Sequence, residues 1–180
     1  MDIEREISEE FPQFKLVSKE DSPLMRAIDV FLRVLTFNRM SAFMTSYVTT
    51  LGTTVYVPRR WADWSSTART AILRHERVHM RQAQRYGLAL FAFLYLCPFL
   101  PVGLAYFRAR FEFEAYVETM RAAAEAGTRI TSGPFKDHII DQFVGPAYGW
   151  MWPFRTQVTR WYTEAAILVL AERARTEKSE

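Results

Sequence analysis

Between Gly87 and Phe107 the chain runs for 21 residues without a charged side chain, and no other feature limits the fold as much. On length alone such a run is a candidate for one membrane crossing. Pro98 and Pro101 interrupt it, and each proline in a helix interior removes a backbone hydrogen bond and clashes with the preceding turn. The run therefore reads as two short apolar arms joined by a bend at Cys97-Pro98-Phe99-Leu100-Pro101. Such a helical hairpin is expected in the core, with contact to a membrane or a partner as the alternative. Cys97, in an apolar setting beside proline, reads as an inert buried thiol.

A chain of 180 residues suits one domain with a sizeable core. Hydrophobic residues at 49% and charged residues at 24% exclude disordered and low-complexity classes. The net charge of +3 is a small excess spread along the chain, so nucleic acid is not indicated as a partner. One cysteine cannot form an internal disulfide, and Met1 to Glu6 is acidic where a secretory signal would be basic and then apolar. These features point to the cytoplasm. An aromatic share of 15% keeps a membrane-surface role as an alternative.

Around the apolar run the pattern is mostly helical. Residues 1 to 20 read as a loosely packed lead-in. Ser22-Pro23 looks like an N-cap followed by proline in the first turn, opening a helix from Pro23 to Leu35. Met44 to Thr50 and Thr53 to Val57 are dense in β-branched and aromatic residues around Leu51-Gly52, the signature of a β-hairpin. Asp63 is a candidate N-cap for the next helix, in which Ala68, Ile72, His75, Val78, His79, Gln82 and Tyr86 share a face, with Gly87 closing it. Helices are also expected from Arg108 to Ala126, from Lys136 to Val144 and from Phe154 to Arg173. An irregular Gly145 to Pro153 segment and a charged tail over 174–180 complete the chain.

His75-Glu76-Arg77-Val78-His79 is an HExxH sequence inside one of these helices. Histidines four apart lie one above the other on a helix, so both imidazoles can reach one cation. The glutamate between them can then touch a metal-bound water without ligating. Two imidazoles, a carboxylate and one open position suit zinc, one ion per chain. Gln82 and Gln84 are poor ligands and no third histidine follows closely, so the third ligand must be a carboxylate. Arg110-Phe111-Glu112-Phe113-Glu114-Ala115-Tyr116 offers two on a downstream helix. Residues two apart point to nearly opposite sides, so one of them can face the site. We take Glu112, with Glu114 as the alternative.

The HExxH helix followed by a glutamate-bearing helix resembles the gluzincin metallopeptidases, in particular the membrane-associated CAAX-processing and heat-shock type. There a Glu-x-x-Ala-Asp helix supplies the zinc glutamate. Laid on that pattern, Glu112 falls at the zinc glutamate and Ala115 at the small residue. Tyr116 stands where the family has an acid that supports a zinc histidine, and Glu118, Asp137 and Asp141 are candidates for that support. The run His-Glu-Arg-Val-His-Met-Arg-Gln, an apolar stretch and Phe-Glu-Phe-Glu-Ala-Tyr is also similar to small bacterial and phage proteins classed as metallopeptidases. Together the resemblance covers Thr45 to Val117.

The third ligand constrains topology. A single crossing by Gly87 to Phe107 would hold His79 and Glu112 about 30 Å apart, on opposite sides of a bilayer. Two arms that return at the proline bend bring Glu112 back to the histidine helix. The fold expected is thus a mostly α-helical, zincin-like α+β domain, with a β-hairpin ahead of the HExxH helix and an apolar helical hairpin after it. The function expected is hydrolysis of a peptide or protein substrate by a zinc-activated water, with Glu76 as the general base. The alternatives are a zinc-stabilised binding module without turnover and a membrane-interface protein. Either the Tyr47 to Thr50 edge or the Thr53 to Val57 edge of the hairpin is placed to receive an extended peptide. His138, Tyr148 and Arg108 are candidates to stabilise the transition state. Arg69, Arg74, Arg77, Arg81 and Arg85 recur along the histidine helix and read as a solvated flank.

Overall fold

The structure, a computed structural model, describes residues 2–35, 37–38, 42–96, 105–145 and 151–178. It is a mostly helical α+β protein with one small sheet. The residues gather into two compact units, Met1–Met80 and Arg81–Glu180.

The first unit contains α1 (Ile3–Glu10), β1 (Lys15–Ser18), α2 (Pro23–Leu35), α3 (Phe43–Ser46), β2 (Thr49–Leu51), β3 (Thr54–Val57) and most of α4 (Ser66–Tyr86). Its first twenty residues are not loosely packed. Ile3, Ile7 and Phe11 are buried with Val55, Val57, Trp61, Leu73 and Met80 in a single core. In α1 the apolar stripe is only Ile3 and Ile7, one turn apart in an otherwise polar and mostly acidic octapeptide, which is too narrow to announce a buried face. β1 pairs in parallel with β3, from Lys15 opposite Thr54 to Ser18 opposite Val57. That pairing joins strands some forty residues apart and has no local turn to signal it.

The expected hairpin is present but shorter. Thr50 lies opposite Val55, while Phe43 to Ser46 turn as a helix and take no part in the sheet. β3 is the central strand, bonded on both edges, so it cannot offer an edge to a peptide. β2 is an edge strand. Ser22 caps α2 as expected, its hydroxyl accepting from the Met25 amide. Asp63 does not cap α4. Its carboxylate is taken by Arg60 at 2.8 Å, and the Ser65 hydroxyl accepts from the Ala68 amide instead. Arg77 also departs from the solvated flank: it donates to Glu10 at 2.5 Å and to Glu6 at 3.2 Å, tying α4 to α1.

The second unit contains the last turn of α4, then α5 (Leu88–Leu96), α6 (Tyr106–Glu125), α7 (Gly133–Val144) and α8 (Arg155–Thr176). Gly87 ends α4 with φ of +78°, a left-handed conformation that glycine adopts without strain. α5 is the first apolar arm and packs on α6, with the Phe91 and Phe111 rings 5.2 Å apart. The Cys97 to Pro101 bend lies outside the described residues. Among those residues no helix is long and apolar enough to cross a membrane. α6, α7 and α8 enclose a second core that includes Phe113, Tyr116, Met120, Ile139, Phe143 and Tyr162. α8 carries on to Thr176, three residues into the expected charged tail.

Candidate metal centre

His75, Glu76 and His79 lie in the middle of α4, well away from its fraying ends. The helix buries Leu73 and Met80, seven residues apart, in the core of the first unit. The histidines occupy a neighbouring stripe, with ring centroids 5.0 Å apart in an edge-to-face arrangement. His79 and Glu76 are each only 7% exposed, and His75 is half-buried. A carboxylate buried to this degree needs a hydrogen-bond partner. Glu76 has one in Thr50, whose hydroxyl donates to Oε2 at 2.6 Å from the edge strand β2. Lys19, fully buried and donating through Nζ to the Phe43 carbonyl at 2.8 Å, adds positive charge to the field at Glu76 and Asp29. Burial outweighs the attraction of the two carboxylates and lowers the Lys19 ammonium to about 8.

In the second unit, Glu112 is 2% exposed on α6, and the Tyr95 hydroxyl of α5 donates to its Oε1. Arg108 lies over the Tyr95 ring, 5.1 Å from its centroid. Glu114 follows two residues later on the same helix. It is exposed and accepts from Gln82 Nε2 at 2.8 Å, and the same amide donates to the Phe111 carbonyl at 3.1 Å. The two glutamates, two residues apart on one helix, have separate environments, as their spacing requires.

His75, His79 and Glu112 each present one ligand atom, and these atoms lie within 4.8 Å of one another. Two imidazoles and a carboxylate form a donor set that fits zinc. A cation there would also add charge compensation for a carboxylate that is almost wholly removed from water. Glu114 is not part of the group.

Other residues singled out by the sequence stand elsewhere. His138 is exposed on α7, and Tyr148 lies outside the described residues. Tyr116, at the position where the resemblance would have an acid, is buried against Phe143 with ring centroids 5.6 Å apart. Asp137 and Asp141 are exposed and pair with Arg155, and Glu118 accepts from Arg121. Three neighbours of the site were not legible as such. Tyr95 lies in a run that reads only as apolar, although a tyrosine there carries a hydroxyl that needs a partner when buried. Thr50 reads as a strand residue, and Lys19 carries no local signal at all.

The contact from Thr50 has a measurable consequence if Glu76 moves protons. Thr50→Val keeps the β-branched shape of the strand residue and removes the donor, so turnover is expected to fall by about tenfold to a hundredfold with little change in KM. Thr50→Ser, which restores the hydroxyl, is expected to recover most of the rate. Steady-state kinetics on the two variants distinguish this from simple strand packing, which the serine variant would not rescue.

Compared with protein families, with curated proteins and with solved structures, the chain matches none.

Proposed function

We propose that this protein is a zinc-dependent metallopeptidase of gluzincin type, working in the cytoplasm, in which His75, His79 and Glu112 hold one zinc ion and Glu76 is the general base. The observation that carries the reading is the approach of one ligand atom from each of these three residues, with a buried glutamate between the two histidines on the same helix. Zinc held there would supply Lewis acidity, making a water acidic and polarising the carbonyl of a peptide bond.

The remaining chemistry belongs to the chain. Glu76 takes a proton from the attacking water on a carboxylate oxygen as the new C–O bond forms, and returns it to the leaving amine as the C–N bond breaks. Thr50 holds Oε2 and so orients the carboxylate, leaving Oε1 to carry the proton. Tyr95 orients Glu112 by donating to its Oε1. The outer edge of β2, bearing Thr50, is placed to pair with an extended substrate backbone, which would bring a peptide alongside Glu76.

The reading is tested by incubating the purified chain, without a histidine tag, with a mixed pool of peptides and recording products by mass spectrometry. Cleavage is expected with zinc present, to stop when a chelator strips the metal, and to return when zinc is restored. Cleavage that continues unchanged in the chelated protein would remove the metal from the mechanism.

A further inference from the structure

The first apolar arm, α5, has a composition that its packing does not account for. All nine residues from Leu88 to Leu96 are apolar or aromatic, and none is buried. One side of the helix rests on α6 through Phe91 and Tyr95, one turn apart. The opposite side presents Leu90, Phe93 and Leu96, which are 49%, 55% and 73% exposed. At 100° per residue these three, with exposed Ala89, form one continuous ridge. A ridge of large apolar side chains with no polar group along it leaves a partner nothing to hydrogen-bond, and burying it from water is favourable.

The charges around the ridge identify what covers it. From Arg77 to Phe111 the sequence holds five arginines and neither aspartate nor glutamate. Arg77 donates to the carboxylates of α1; Arg81, Arg85 and Arg110 are exposed, the last two beside the Tyr86 and Trp161 rings. Tyr86, Tyr106 and Phe107 are exposed beside the two ends of the apolar stretch, and such aromatics favour the boundary between headgroups and hydrocarbon. The helix is about 13 Å long, less than half the hydrocarbon thickness of a bilayer, so it can lie in the interface but cannot cross it. We propose that the Leu90, Phe93 and Leu96 ridge of α5 docks into the surface of an anionic lipid bilayer, with Arg81, Arg85 and Arg110 meeting the headgroups. The protein is then a monotopic one, held by one shallow apolar ridge and a basic collar.

The inference does not depend on turnover, and the test needs none. The full chain is floated with vesicles of phosphatidylcholine alone and with vesicles that also contain phosphatidylglycerol. Wild type is expected to float with the anionic vesicles only, and to be released progressively by salt. The combined Leu90→Ser, Phe93→Ser and Leu96→Ser variant is expected to lose about tenfold or more of the bound fraction while keeping the wild-type circular dichroism. Arg81→Gln with Arg85→Gln should remove the preference for phosphatidylglycerol. Wild type that stays unbound with anionic vesicles, or serine variants that bind as wild type does, would overturn the proposal. So would a wild-type dimer in sedimentation that the serine substitutions dissolve, which would assign the ridge to a second copy of the chain.

Discussion

Glu76→Gln protein is expected to hold zinc at the wild-type stoichiometry and to hydrolyse peptides about a thousandfold more slowly, or worse. The substitution is conservative in shape, and an amide oxygen still accepts from the Thr50 hydroxyl, so α4 and its contacts with the sheet should be undisturbed. What the amide cannot do is take a proton from water. General acid–base catalysis by a positioned side chain contributes roughly a hundredfold to ten-thousandfold, and a base that also returns the proton to the amine acts twice. The readout is therefore paired: metal per chain by mass spectrometry, and kcat/KM on any peptide that the wild type cleaves. Zinc retained with activity lost is the expected pair. A glutamine variant as active as wild type would remove Glu76 from the chemistry. Zinc in both proteins with turnover in neither would instead leave a zinc-stabilised binding module.

The second large effect is expected at Glu112. Glu112→Gln should weaken zinc binding by more than about a hundredfold, since it removes an anionic ligand while keeping an oxygen that can accept from Tyr95. Glu114→Gln should leave zinc binding as it is, because that side chain is exposed and bonded to Gln82. Metal binding to the folded state alone raises stability, by about 2.7 kcal/mol when free zinc is at a hundred times its Kd. Wild type and Glu114→Gln should therefore melt several degrees higher with zinc than after chelation, and Glu112→Gln should show almost no such rise at the same zinc concentration. This comparison reads the ligand set without any substrate. Equal zinc-dependent shifts in both variants would mean that neither glutamate is the third ligand.

How far the sequence reached depends on the kind of interaction involved. The HExxH spacing, the helical period that carries it, Ser22-Pro23 at the start of α2 and Gly87 at the end of α4 are all local, and a local pattern is written in consecutive residues. Helical geometry dictates that Glu112 and Glu114 differ in their surroundings, while the contacts that make the difference, Tyr95 for the one and Gln82 for the other, come from residues far along the chain. Asp63 shows how a local rule misses by two residues: the helix starts at Ser66, so Ser65 holds the cap position and Asp63 ends the preceding turn, paired with Arg60.

The first twenty residues lie at the other extreme. Two isoleucines in an acidic helix and the four-residue strand Lys15–Ser18 look dispensable until β1 is seen beside β3, where Ile3, Ile7 and Phe11 close the core behind α4. Parallel pairing across some forty residues leaves no trace in local sequence, because its favourable terms are area removed from water and ladder hydrogen bonds to a distant strand. Thr50 bonds to Glu76 from an edge strand, and Lys19 acts on it through its charge from a distant turn, so both depend on the same kind of long-range placement. By itself the sequence determined which side chains share a helix face and what donor and acid–base groups they carry, because those properties belong to side-chain chemistry and helical spacing. Only the tertiary structure decided which neighbours orient them, because that depends on contacts between segments that the chain keeps far apart.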